Sequence, residues 1–402
     1  MSSVVVPALI ELGAPVLGEP EKAALAEVID DGWLTMGERV RRFEQAFAAL
    51  HHVEDAVAVH SATAALQVSL AAFDVGPGDE VLLPSMTFVA TASVVVHAGA
   101  TPVFVDIESA GRPHMSIEDA RARITPRTRA IMVMHYGGYL VDMPRWRALA
   151  DEFGLLLFED AAHAAGLDGA VGTLSDAASF SFFTNKNMTT AEGGMIIVPD
   201  EARRARARLL RAHGMTTSTL ARDRGHAMSY DVVECGHNFR MDELRAAVGL
   251  VQIERLRGWN DHRRMLTAAY RSLIASELPD VEVPFEGDHR TTAHIMPVLL
   301  PETTDRSMVM ARMRAARVQT SMHYPPVHLF DYYKRTFDPD PLPNTELFAG
   351  RELTLPLHPR LTSSDVERVV EALRDALAHR PEGDRESATR ESSTREEKTQ
   401  WT

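Results

Sequence analysis

From about residue 55 to 200 the sequence alternates short apolar or β-branched runs with stretches of helical spacing, and that alternation leaves few folds open. Strands separated by helices pair in parallel, and the helices cover the faces of the sheet. The runs fall at residues 56–59, 80–83, 102–105, 130–134, 154–158, 179–183 and 195–198. Nearly every position in them is apolar, as in strands buried on both faces. Residues 63–73 and 143–153 carry helical spacing between the runs, and Val40, Phe43, Phe47 and Leu50 mark an amphipathic helix upstream. After about residue 255 the pattern becomes mixed, with a strand run at 293–298. A final helix is marked by Val366, Val369, Val370, Leu373 and Leu377, opened by the capping box Ser364-Asp365-Val366-Glu367. The expected architecture is α/β: a large domain with a mostly parallel seven-stranded sheet flanked by helices, plus a smaller C-terminal α+β domain. Its boundaries read as an N-terminal segment at 1–12, the large domain at 13–255, the small domain at 256–379 and a disordered polar tail at 380–402.

A chain of 402 residues exceeds one typical domain, in keeping with that division. The net charge of -14 argues against general affinity for nucleic acid or anionic membranes, while leaving room for a local basic pocket. Cys235 is the single cysteine, so no intrachain disulfide or multi-cysteine metal site is expected, and a reducing compartment fits. No apolar run approaches a membrane span, and the N-terminus lacks the features of a signal peptide. A cytoplasmic location is the expectation.

Only four lysines occur: Lys22, Lys186, Lys334 and Lys398. Three lie in polar surroundings, but Lys186 follows the run Ser179-Phe180-Ser181-Phe182-Phe183. An ammonium there is costly to desolvate unless paired, neutralised or covalently bound. Lysine forms Schiff bases and arginine does not, so its retention in an arginine-rich chain suggests a covalent role. A lysine whose stem packs while its head reaches solvent is the plainer reading. The 154–158 run leads into Glu159 and Asp160, at the strand end where ligands of open α/β sheets bind, so Asp160 could face a ligand while Glu159 points elsewhere. A turn aspartate is the alternative. His163, three residues on, meets the same ligand or packs in the core. After the 56–59 run, His60-Ser61-Ala62-Thr63 turns into a helix whose first N–H groups suit a phosphate. Ser181 adds a second hydroxyl, and Phe88 offers a ring to stack or to pack. A phosphate cup, a strand-end aspartate and a later lysine are together what pyridoxal phosphate requires.

In these and further motifs the chain resembles the DegT/DnrJ/EryC1/StrS family of sugar aminotransferases, of pyridoxal-phosphate fold type I. The motifs include Gly32-Trp33-Leu34-Thr35-Met36-Gly37, Thr87 to Ala92, Glu159 to Ala164 and Ser181 to Gly194. Later come Gly236-His237-Asn238-Phe239-Arg240-Met241, His323-Tyr324-Pro325-Pro326 and Leu355-Pro356-Leu357-His358-Pro359, so the resemblance spans roughly residues 10 to 378. It implies Lys186 as the Schiff-base lysine, Asp160 as partner of the pyridine nitrogen and His163 beside the phenolic oxygen, these three being the catalytic set. Ala62, Thr63 and Ser181 would bind the phosphate and Phe88 would stack on the ring. Asn238 would reach the phosphate of a neighbouring subunit, which implies a homodimer with shared sites. Trp33, Thr35, Arg240, His323 and Tyr324 would serve the substrate. Two departures stand out: the family usually has Gly at Ala62 and more often Tyr at His237. Ala62 is tolerable where its backbone avoids positive φ.

The implied reaction moves an amino group from an amino acid, L-glutamate in most of the family, to a keto-sugar, most often nucleotide-linked. The cofactor cycles between pyridoxal and pyridoxamine phosphate. Members that dehydrate sugars carry His at the lysine position, so Lys186 favours transamination. A keto-cyclitol acceptor is a second reading, and a non-catalytic sensor on the same fold a third. A metal site from His51, His52 and His60 is a fourth and lacks a completing ligand.

Overall fold

The computed structural model describes residues 8–167, 171–217, 223, 225 and 229–378. The tail expected at 380–402 and the first seven residues of the expected N-terminal segment lie outside the described residues. In chain order the strands are β1 (Val57–Val59), β2 (Glu80–Pro84), β3 (Thr101–Val105) and the hairpin β4 (Ile107–Ser109) and β5 (Arg112–Met115). There follow β6 (Thr128–Met134), β7 (Leu156–Asp160), β8 (Ala177–Ser181), β9 (Gly194–Ile197), β10 (Met296–Leu299) and β11 (Glu352–Leu355). One seven-stranded sheet runs β1-β9-β8-β7-β6-β2-β3, with β9 antiparallel to both neighbours and every other neighbouring pair parallel. The seven expected apolar runs are its seven strands.

Helices α1 (Glu19–Asp31), α2 (Glu38–Leu50), α3 (Ala62–Ala72), α4 (Val89–His97), α5 (Ile117–Ala122), α6 (Met143–Phe153) and α7 (Glu201–Leu210) belong to this half. α8 (Glu243–Glu277) is 35 residues long and passes through position 255, where the expected boundary falls. Beyond it lie α9 (Arg306–Ala315), α10 (Asp331–Phe337), α11 (Pro343–Arg351) and α12 (Ser363–Ala378). Alternate strand residues face opposite sides of the sheet, which is why both sides carry an apolar core. Ile131 and Val133 pack with Phe43, Phe47, Trp146 and Leu256 from α2, α6 and α8. Ala130 and Met132 pack with Leu66, Leu70, Val94 and Leu210 from α3, α4 and α7. A third core joins Leu266, Tyr270 and Ile274 of α8 to β10, β11, Met313 of α9 and Leu373 of α12.

Four expectations shift. β7 begins at Leu156 and not at 154, because Gly154 adopts φ 65° as the left-handed cap of α6. β8 spans 177–181, and the strand expected at 293–298 is Met296–Leu299. The capping box of α12 lies two residues earlier than expected, at Thr362 and Asp365. Thr362 Oγ1 accepts the Asp365 N–H at 3.2 Å, and the Asp365 carboxylate accepts the Thr362 N–H at 2.9 Å.

Candidate active site

The C-terminal ends of the parallel strands converge on a cavity of about 400 Å³, whose lining includes Ala62, Thr63, Phe88, Asp160, His163, Ser181, Lys186, His323 and Tyr324. Nine of the expected site residues therefore meet in one place. Asp160 and Ser181 are the last residues of β7 and β8, while Thr63 follows β1 at the start of α3. This edge of an open sheet is where helix N-termini and strand-end side chains face a ligand together.

Ser61 caps α3 by accepting the Ala64 N–H at 3.1 Å, leaving the first N–H groups of the helix toward the cavity mouth. Ala62 is the first residue of α3 and stays out of the left-handed region, so the methyl group costs the turn nothing. The close approach falls instead at Gly194, where a Cβ would come within 2.5 Å of the Ser61 carbonyl oxygen. β9 can pass the cup only as glycine.

Asp160 is buried, and burial pushes its carboxyl up from the usual carboxylate range. Hydrogen bonds from the Thr91 hydroxyl at 2.7 Å and the Ala162 N–H at 3.1 Å, and the Lys186 charge, oppose that shift. Since Thr91 spends its proton on Asp160, the contact of 2.7 Å between the Thr87 and Thr91 hydroxyls has Thr87 as donor. Glu159 turns to the other face, where Ser175, the Gly172 N–H and His135 satisfy it.

Lys186 sits in the turn between β8 and β9, partly open to the cavity. Its ammonium has no hydrogen-bond or ion-pair partner among the described residues. Enclosure by protein lowers its pKa to about 8, against the raising effect of Asp160. The next residue anchors the turn: Asn187 donates to Asn260 at 2.7 Å and to the Thr292 carbonyl at 2.9 Å, and its own amide oxygen is 2.7 Å from His294 Nδ1.

His163 is buried against His294, with ring centroids 4.1 Å apart. Its Nδ1 accepts the Gly137 N–H at 3.2 Å and its Nε2 lies 2.9 Å from Tyr324 Oη, so both ring nitrogens are engaged within the protein. His323 is held by Glu352, which accepts its backbone N–H at 2.9 Å, and by Thr354 Oγ1 at 2.9 Å from Nδ1. Burial lowers His323 to about 4. Phe88 is exposed on the cavity wall, its ring 6.0 Å from that of Tyr324.

Four expected residues do not line this cavity. Trp33 is half-buried and Thr35 exposed, on the segment leading into α2. Asn238 is exposed and bridges to Ala212, and Arg240 bridges to Val59. His237, where Tyr is commoner, lies flat on Phe239 with centroids 4.4 Å apart. His51 has its Nε2 occupied by the Gly166 N–H at 3.2 Å and packs between Phe47 and Phe180.

Two contributors were absent from the sequence reading. Thr91 lay inside a quoted motif, in the first turn of α4 and four positions after Thr87, and that spacing of two hydroxyls was the available signal. Gly137 and Gly138 follow β6 at the same sheet edge, with φ of 65° and 82°. A Cβ on Gly138 would meet Thr292 Oγ1 at 2.0 Å, so this turn presses on the histidine it serves.

The sequence profile of the DegT/DnrJ/EryC1/StrS aminotransferase family matches residues 15–374. The spore coat polysaccharide biosynthesis protein SpsC of Bacillus subtilis (strain 168) is 36% identical over 375 residues, 90% of this chain and 95% of that one. The aminotransferase TlmJ of Streptoalloteichus hindustanus superposes with a TM-score of 0.85 at 34% identity, covering 92% of this chain and 99% of that one. The sugar aminotransferase Spr1654 of Streptococcus pneumoniae, in its PLP form, gives 0.83 at 27% identity, over 92% and 98% of the two chains. Its PMP form gives 0.84 at 27% identity, over 91% and 98%.

Proposed function

The chain belongs to the DegT/DnrJ/EryC1/StrS aminotransferase family, and on that premise we propose that it aminates a nucleotide-linked keto-sugar in amino-sugar assembly for a polysaccharide, with L-glutamate as amino donor. It is a pyridoxal-phosphate-dependent aminotransferase, working with the pyridoxal and pyridoxamine forms of the cofactor.

The cavity fits that cofactor. A helix N-terminus and two hydroxyls stand where a dianion would be held, and a buried carboxylate faces the same space as an unpartnered amine. Ala62 and Thr63 would hold the phosphate through backbone N–H groups, with the Thr63 and Ser181 hydroxyls beside them. Asp160, kept in place by Thr91 and Ala162, would hold a proton on the ring nitrogen. Phe88 would cover a ring face and exclude water. When bound, the ring acts as an electron sink at the carbon bearing the amino group. Lys186 moves the proton to and from that carbon, a task suited to an amine whose pKa lies near the working pH.

The observation that carries this reading is the unpartnered amine of Lys186 in one cavity with Asp160 and the start of α3. We further propose a cytoplasmic homodimer with shared sites. Its support is the exposed position of Asn238 away from its own cavity, and an apolar groove of about 540 Å³ lined by Leu17, Leu25, Leu244 and Val248. No helix among the described residues is long and apolar enough to cross a membrane. We also propose a division into large and small domains near residue 255, with α8 contributing to both cores.

The test is a panel of acceptors offered to the pyridoxamine form of the protein, with mass spectrometry of the products. Amination of keto-sugar nucleotides, with no reaction of the free keto-sugars, is the expected result. Amination of keto-cyclitols in preference would replace the proposed acceptor and leave the enzyme class intact.

A further inference from the structure

The direction of the hydrogen bonds around His163 is fixed by one observation. A backbone N–H only donates, so the contact of 3.2 Å from Gly137 makes Nδ1 the acceptor nitrogen. Burial and the charge of Lys186 hold the ring neutral, and His294 and His323 press the same way. A neutral ring with a lone pair on Nδ1 carries its proton on Nε2. The contact of 2.9 Å to Tyr324 therefore runs from His163 to the hydroxyl oxygen.

That leaves the Tyr324 proton uncommitted. The hydroxyl has one hydrogen, it is not used on His163, and no other described residue accepts it. Tyr324 lines the cavity that holds Lys186 and Asp160. Burial raises its phenol above the ordinary value, with Asp160 and Glu352 adding to the effect, so it remains a donor through the working range. The turn that supplies the Gly137 N–H cannot relax away, since Gly138 is wedged against Thr292 and the His163 carbonyl.

We propose that Tyr324, oriented by His163, donates a hydrogen bond to a carbonyl or phenolic oxygen of the bound molecule, and that His163 acts only through Tyr324. The inference deepens the reading above and rests on the cavity being the active site. It assigns His163 as a positioning residue and Tyr324 as the group that touches the ligand. Two oxygens share the required chemistry: the ketone oxygen of the acceptor and the phenolic oxygen of the cofactor.

The holoenzyme and its Tyr324→Phe, His163→Leu and His163→Gln variants separate them. Glutamine can accept from Gly137 and donate to Tyr324, so it tests the hydrogen-bond pattern and not the imidazole. The first readout is the ¹⁵N NMR signature of the His163 ring, expected to be the neutral Nε2–H tautomer. The second is the pH midpoint of the bound cofactor's visible absorbance. If the phenolic oxygen is the target, Tyr324→Phe raises that midpoint, because the lost donor had stabilised the more negative oxygen. If the ketone oxygen is the target, the midpoint stays and the acceptor half-reaction slows on the order of 10²-fold, with the donor half-reaction unchanged. In either case His163→Leu reproduces Tyr324→Phe, the double variant is no worse than Tyr324→Phe, and His163→Gln recovers part of the loss.

An Nδ1–H or cationic His163 in the holoenzyme would overturn the proposal. So would a Tyr324→Phe variant matching the parent in both the absorbance midpoint and the rate of the acceptor half-reaction, or a His163→Leu effect that persists without Tyr324. The NMR and absorbance readouts need no acceptor, so a wrong acceptor assignment would leave them informative.

Discussion

At Lys186 a single side chain combines enclosure, an absent partner and a neighbouring carboxylate. The pKa of about 8 follows from desolvation outweighing the attraction of Asp160. For a base lowered in this way, the charged form is penalised by the fold, so the cost is full below about pH 8. It is relieved as pH rises from about 8 toward the ordinary lysine value of 10.5. Recombination of the cofactor-free protein with pyridoxal phosphate, followed by absorbance, should accelerate through pH 8 and then level off. A midpoint near 10.5, the ordinary lysine value, would mean an amine in free contact with water. Lys186→Ala should lose multiple-turnover transamination entirely, and sustained product formation by that variant would refute its role. Its scarcity and apolar setting made this residue legible in the sequence, as strand-end position did for Asp160. The direction of the hydrogen bond between His163 and Tyr324 was not legible, because it depends on a turn at Gly137 that only the folded chain brings near.

Among the elements, strands were easier to read than helices. Seven apolar runs became the seven strands of one sheet because burial on both faces leaves each strand apolar throughout. The 35 residues of α8 went unrecognised for a related reason. Its buried face includes Glu243, Gln252, Asn260 and Arg263, which interrupt the apolar period and each make hydrogen bonds instead. Glu243 is the most consequential of them. Its carboxylate accepts the N–H groups of Gly37, Arg39 and Val40, each at 2.9 Å, and so caps α2 from more than 200 positions away. This fixes the segment that carries Trp33 and Thr35 against α8. Glu243→Ala leaves those donors without an acceptor and should destabilise the protein by at least ~2 kcal/mol, on the scale of lost caps and unpaired buried N–H groups. Urea denaturation checks this, and a loss below ~0.5 kcal/mol, the range of ordinary surface changes, would show that water replaces the cap.

Over the whole molecule the sheet edge gathers nine expected site residues, while Trp33, Thr35, Asn238 and Arg240 stay outside the cavity. Such a division is expected of a site completed by a second copy, as the motif around Asn238 implied. Light scattering should return twice the mass of the 44.4 kDa chain. A fully active monomer would remove the proposed role of Asn238. The central claim, that this fold exists to hold pyridoxal phosphate on one lysine, has a more direct test. The chain offers Lys22, Lys186, Lys334 and Lys398 as possible attachment points. The holoprotein is reduced with borohydride, digested and mapped by mass spectrometry. A stoichiometric pyridoxyl adduct on Lys186 alone is the predicted result; an unmodified Lys186, or an adduct on any of the other three, would contradict the account.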